Sequence, residues 1–326
     1  MAKVTVLMAV YNAERWLERS IGSLLSQTLT DWQLICIDDA STDGSLNLLR
    51  RFQQEDQRIE LISLSENHGQ AHARNCGLKQ AQGDYICFLD ADDWLSADAL
   101  QQAVSVFETY DKTDCVLFHV VHVEQGLERD YPMPSFPVLT GDEAFDRSLE
   151  WQIHGVYMVR ASLHQRFPYD ETCRSYSDDN TTRLHYYHSH EVRSCQGIYY
   201  YFSNPTSATH RVSVRRFDYL KANESMKRQL QELGVVLPVV ARYEQVRWLV
   251  LIDCYMFYHV HASELAADER RYGLSELRRI WSTIDRTLLN KETTTKFGYR
   301  PCKLWWMFRL QEWCYFTLRG FLGKNR

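Results

Sequence analysis

No two of the nine cysteines in this 326-residue chain stand in a CxxC spacing, and their number is odd. That excludes a zinc ribbon, a redox dithiol and a disulfide scaffold. No uninterrupted apolar stretch approaches the roughly 18 residues of a membrane span. The chain also lacks a GxGxxG turn, a GxxxxGK(S/T) loop, internal repeats and low-complexity tracts. Neither common backbone cradle for nucleotide phosphates is therefore available. The formal net charge of −5 is too mild for a nucleic-acid binder. Lys3 leads straight into a short apolar run in place of the long core of a secretory leader, so a cytoplasmic protein with reduced thiols is expected.

What the chain does contain is alternation. KVTVLMAV (3–10) reads as a buried strand, and AERWLERSIGSLLSQTL then places Leu17, Ile21, Leu24, Leu25 and Leu29 on one helical face. WQLICIDDA repeats the strand, and STDGSLNLLRRFQQ restarts a helix that Asp43 or Ser45 would cap. IELISL, GQAHARNCGLKQAQG and DYICFL continue as strand, helix and strand, and Ser96 opens a helix to about Tyr110. This spacing predicts an α/β fold, a mostly parallel sheet covered on both faces. Ligands in such sheets bind beyond the carboxyl ends of the strands. Tyr11, Asn12 and Glu14 fall at the first such end, Asp38 and Asp39 at the second, and Asp90, Asp92 and Asp93 at the fourth.

The fourth end, YICFLDADDWL, places three carboxylates in four positions. Two charges ~5 Å apart in an effective dielectric near 20 repel by roughly 3 kcal/mol, so something must offset them. An oxygen-preferring divalent cation, Mg²⁺ or Mn²⁺, carrying phosphate charge in place of a glycine-rich loop, meets that need.

Taken together, VTVLMAVYNAERWLERSIGSLLSQTLTDWQLICIDDASTDGS and NHGQAHARNCGLKQAQGDYICFLDADD resemble the family 2 inverting glycosyltransferases, whose catalytic domain has the GT-A fold. The resemblance is strong over about residues 3–110 and looser at SYSDDNTTRLHYYHSHEVRSCQGIYYYFSNPTSATH. It implies a nucleotide-sugar donor, with Tyr11 against a uracil, Asp39 accepting from the base and Arg74 near the nucleotide. Asn12 and Glu14 fall at the same donor-binding strand end. Asp90 and Asp92 match the DxD element, Asp90 near the ribose and Asp92 on the metal, while Asp93 supports the site or faces the sugar. Arg74 as a solvated helix residue pairing with Glu66 or Asp84 stays open, as does Tyr11 as an ordinary turn aromatic. Asp38 reads as structural, and His68 and His72 as local hydrogen bonders. The family's base is the aspartate of a Glu-Asp pair; here YSDDNTTRL places Asp178 there with Ser177 in the glutamate's position, and Asp179 is the alternative. Simple capping of the following helix is the plainer reading of this pair.

Other features carry less. The histidines of HYYHSH read as helix surface, His119 and His122 as opposite faces of a strand, and EQVRW (244–248) as a chance likeness to the QxxRW of processive synthases. His210 or Arg211 would reach the diphosphate, and His154 or Tyr157 the acceptor. A GT-A catalytic domain over residues 1–215 and a helical region over 216–326 are expected. The ending, 300–326, places Trp306, Met307, Leu310, Trp313, Cys314 and Phe321 on one apolar face, with Arg309, Glu312 and Arg319 opposite. Such a face suits an anionic membrane surface or docking as core. The implied activity is transfer of one sugar to a bacterial surface glycan or lipid-linked glycan, peripherally on the cytoplasmic face of the inner membrane. A lapsed binding subunit and a sugar nucleotidyltransferase are the rivals, the latter lacking its glycine-rich loop.

Overall fold

The computed structural model describes residues 2–204, 212–295 and 302–324. The chain divides into two compact units, one of residues 1–174 with 178–208 and one of 175–177 with 209–326.

The first unit begins with the expected alternation: β1 (Val4–Val10), α1 (Glu14–Leu25), β2 (Trp32–Asp38), α2 (Ser45–Glu55), β3 (Ile59–Ser63), α3 (Gln70–Leu78) and β4 (Tyr85–Phe88). β5 (Trp94–Leu95), α4 (Ala99–Thr109), β6 (Thr113–Glu124), β7 (Leu127–Asp130) and α5 (Gly141–Leu149) follow. β8 (Tyr157–Arg160), α6 (Ala161–Arg166), α7 (Asp178–Tyr187) and β9 (Glu191–Phe202) complete the unit. The sheet order is β3-β2-β1-β4-β8-β6-β9-β5, with β7 on β6. β3, β2, β1 and β4 are parallel, β8 is antiparallel to both neighbours, and β9 again runs parallel to β6. Two reversals cancel, so β1, β2, β4, β6 and β9 all point the same way.

β2 is buried along its whole length and β1 nearly so, as continuous apolar runs with helices on both faces require. Leu17, Ile21 and Leu24 of α1 pack on this core, but the helix ends at Leu25, so Leu25 is 39% exposed and Leu29 lies past the last turn. Neither expected residue is the cap: Gly44 takes that position without a side-chain cap, and Asp43, one residue earlier, accepts the Ser45 N–H at 3.0 Å. Ser45 is already helical and its Oγ accepts the Ala13 N–H instead.

The second unit holds α8 (Asp218–Glu232), α9 (Leu237–His261), α10 (Ala267–Thr283), α11 (Lys291–Thr295) and α12 (Trp305–Phe321). Trp248, Leu251, Tyr255, Leu277, Trp281 and Phe308 are part of its apolar core. The EQVRW stretch lies on α9, where buried Arg247 donates to both oxygens of buried Glu244 at 2.9 Å. No helix among the described residues is long and apolar enough to cross a membrane.

Candidate functional site

Because β1, β2, β4 and β9 end on one rim, the side chains that follow them meet. They line an open cavity of about 260 Å³ walled by Tyr11, Asn12, Trp16, Asp39, Gln70, Asp90, Asp92 and Asn204. Tyr11 is 53% exposed there, while Glu14 stands outside the wall.

Short hydrogen bonds stitch one strand end to the next. Asn12 has φ 51°, a left-handed backbone that asparagine tolerates. Its Oδ1 accepts the Thr42 N–H at 2.7 Å, and its own N–H donates to Ser41 Oγ at 3.0 Å. Glu14 Oε2 accepts the Gly44 N–H at 2.9 Å. The turn after β1 is thereby fastened to the turn after β2. Buried Asp38 accepts from the Ser41 N–H within that second turn. Asp39 accepts the N–H groups of His68 and Gly69, each at 2.8 Å. Gly69 has φ +94°, which an L side chain would strain, so glycine lets the backbone turn its N–H onto the carboxylate.

The acid cluster after β4 is offset first by a buried arginine. Arg74 is 1% exposed; its Nη2 donates to Asp90 Oδ1 at 2.5 Å, and its guanidinium lies 4.1 Å from the Phe88 ring centre. Gln70, one turn earlier on α3, donates to the same oxygen at 2.9 Å. Burial pushes the Asp90 carboxyl above its usual range; Arg74 opposes this, and the charges of Asp92 and Asp178 add to it. Asp93 turns inward. It accepts Tyr199 O–H and Phe202 N–H, each at 2.7 Å, and burial, with Asp90 and Asp92 beside it, raises it well above an ordinary carboxyl. Tyr199 Oη also accepts the Asp90 N–H, so β9 and the acidic turn form one rigid piece.

Asp92 is left facing the cavity. Asn204 donates to its Oδ2 at 2.9 Å, and Arg19, stacked 3.8 Å from the Trp94 ring centre, donates to its backbone oxygen. Among the described residues no three His, Cys, Asp or Glu side chains are grouped to hold a metal. One cavity-facing carboxylate nevertheless fits Mg²⁺ or Mn²⁺, because such ions take one or two carboxylates and complete their shell with substrate phosphate and water.

Asp178 and Asp179 open α7. The charge of Asp178 acts on Arg74, Asp90 and Tyr169, which places it toward the acid cluster. Asp179 sits 4.0 Å from Arg183, and burial raises its carboxyl to about 7, against the pull of Arg183 and with Asp178 adding.

Several expectations are corrected. His154 and Tyr157 are buried, and Tyr157 donates to His185 Nδ1 at 2.6 Å. His185 is itself core rather than helix surface, its Nε2 donating to the Phe167 carbonyl at 2.8 Å. Arg74 pairs with neither Glu66 nor Asp84, because its helix points it at Asp90. His72 is a local hydrogen bonder, 2.7 Å from Glu171. His210 and Arg211 lie outside the described residues. Asn204, Gln70, Tyr199 and Arg19 were missed. Gln70 was findable, since its i, i+4 spacing to Arg74 puts both on one helix face; Asn204 carries no comparable signal.

The profile of Glycosyl transferase family 2 matches residues 5–167, half of the chain. An uncharacterized glycosyltransferase of Haemophilus influenzae is 43% identical over 105 residues, 32% of this chain and 42% of that protein. The putative teichuronic acid biosynthesis glycosyltransferase TuaG of Bacillus subtilis is 41% identical over 99 residues, 30% of this chain and 39% of its own length. The chain thus spans less than half the length of these two curated relatives. Among solved structures, TarS 1–349 of S. aureus in complex with UDP-GlcNAc superposes with a TM-score of 0.73 at 17% identity, covering 99% of this chain and 92% of that one. That likeness is one of fold, and the fold is GT-A-like. With the matched residues running from β1 through α6, across the strand ends that build the acid rim, the chain belongs to glycosyl transferase family 2.

Proposed function

We propose that this chain is an inverting glycosyltransferase that moves a single sugar from a UDP-linked donor to a hydroxyl of a bacterial surface glycan or lipid-linked glycan. The observation that carries this reading is the cavity that joins exposed Tyr11, Asp39, the Arg74–Asp90 pair and Asp92 on one rim. The TarS structure with UDP-GlcNAc and the teichuronic acid assignment of TuaG support a UDP donor and a surface-glycan acceptor respectively.

In this reading Tyr11 offers a ring face to the base, and Asp39, already held by two backbone N–H groups, accepts from it. Arg74 holds Asp90 fixed beside the ribose through their buried pair. Asp92 is the protein ligand for a divalent cation, which when bound supplies charge stabilisation to the departing diphosphate. Asn12 and Glu14 act by bracing the first turn, and Asp93 by anchoring the acidic one. Asp178 is the general base that takes the proton of the attacking hydroxyl; its position toward Asp90 and Arg74 favours it over Asp179, which faces Arg183. Residues 1–215 are proposed as the catalytic domain and 216–326 as a helical region.

Incubating the chain with a panel of UDP- and GDP-sugars and Mn²⁺ tests this. Metal-dependent nucleotide release from a UDP-sugar, lowered about 10²–10⁴-fold by Asp178→Asn with UDP binding intact, is the expected result. Tight UDP binding with no turnover of any donor would instead favour a lapsed binding subunit, which buried Ser177 in the glutamate position makes the second reading. Full activity in Asp178→Asn would move the base elsewhere.

A further inference from the structure

Helix α12 is apolar on two opposite faces, and only one of them is used within its own unit. At 100° per residue Phe308, Glu312 and Phe316 fall along one line. All three are buried, and the two phenylalanines pack into the core of the second unit. This corrects the expectation from the sequence, in which Glu312 pointed away from the packed side. Half a turn round lie Trp306, Leu310, Trp313 and Phe321, which are 62%, 54%, 55% and 84% exposed. A helix that is hydrophobic all round is normally enclosed on all sides or set against lipid. An uncovered aromatic face of this extent marks an interaction surface.

Charge identifies the partner. From Arg300 to Arg326 the sequence holds six Lys and Arg residues and a single acid, Glu312, although the whole chain carries −5. That single acid is the buried one, whereas Lys303, Arg309 and Lys324 are exposed. The described surface of this segment is therefore aromatic and cationic, with no acidic side chain. A second copy laid face to face would bring like charges together, which is costly. Tryptophan beside lysine and arginine suits the headgroup level of a bilayer that bears negative lipid. We infer that the outer face of α12 seats the protein on an anionic phospholipid surface, with Trp306, Leu310, Trp313 and Phe321 at the acyl boundary and the basic side chains among the phosphates. This stands on the helix's own surface and does not depend on the reading of the donor cavity.

Flotation of the full chain with vesicles tests it. Binding is expected to vesicles containing roughly one-third phosphatidylglycerol in phosphatidylcholine, and to be at least about tenfold weaker on pure phosphatidylcholine. Trp306→Ser with Leu310→Ser and Trp313→Ser removes it. Lys303→Gln, Arg309→Gln and Lys324→Gln together weaken it on the anionic vesicles only, by about fivefold per charge, and keep the test valid should the apolar variant fold poorly. Sugar transfer to a soluble acceptor stays unchanged in the charge variant. Absence of vesicle binding by the intact chain, or binding that both variants retain, overturns the inference. So does concentration-dependent self-association that the serine variant abolishes while vesicles are ignored, since the face would then belong to a second copy.

Discussion

Arg74 and Arg247 are each 1% exposed, and each is paired with a carboxylate of its own unit. Their surroundings differ. Around Arg247 the charges close on themselves: Glu244 also takes Lys227 at 3.0 Å and the Asp285 N–H at 2.6 Å, and Arg247 reaches Thr283 Oγ1 at 2.8 Å. Glu244 is wholly buried, with its charge met by Arg247 and Lys227. Around Arg74 the pair opens outward. The Asp90 side chain keeps 28% of its surface, and Asp92 and Asp39 share its cavity. A buried ion pair is thus ordinary scaffolding until one partner borders a space where a ligand fits.

The comparison breaks or sharpens first on stability. Glu244→Ala strands two cations and is expected to cost about 3–5 kcal/mol in denaturant unfolding, with no change in UDP affinity of the chain that remains folded. Arg74→Ala is expected to cost a similar amount and also to weaken UDP binding. Equal UDP affinities in the two variants would erase the distinction. Next, Asp92→Asn is expected to lower transfer about 10²–10³-fold with thermal stability unchanged, and stripping divalent ions with a chelator should match it. A folded Asp92→Asn enzyme at full rate would detach the acid rim from the chemistry.

Further effects follow from burial and from stacking. The raised Asp179 carboxyl makes the folded chain bind an extra proton between about pH 4 and about pH 7, so this group's contribution is present in acid and is lost as pH rises through about 7. Asp179→Asn is therefore expected to be more stable than wild type by about 4 kcal/mol near pH 8, with the gain vanishing near pH 4, in unfolding curves run with chelator. Tyr11→Ala is expected to raise the Kd for UDP by roughly fivefold, about 1 kcal/mol, as judged by calorimetry.

Much of the first unit was legible from pattern. Apolar runs such as VTVLMAV and WQLICID are too continuous for surface strands, and the alternating helices permit only a covered parallel sheet. Strand ends carrying Asp39, Asp90 and Asp92 then had to share a rim. Pattern failed where long-range packing chooses between equivalent faces. In α12 both faces are apolar, so periodicity alone did not say which one packs, and the packed line passes through Glu312. His185 stands in a polar-looking HYYHSH string yet is core, because Tyr157 and the Phe167 carbonyl satisfy both ring nitrogens.

The order of residues by itself determined the alternation, the absence of a glycine phosphate cradle and the placing of acids at strand ends, since these depend on neighbours a few positions apart. Only the tertiary structure decided how those acids are divided. Asp39 is held by a loop 29 residues away, Asp90 by a helix, and Asp93 by a strand 106 residues on, while Asp92 turns to the cavity that Asp39 and Asp90 also border. Carboxylates that look alike in a string differ once folded, because burial and hydrogen-bond partners come from distant segments, and those partners set which charge is spent on the scaffold and which is free to meet a ligand.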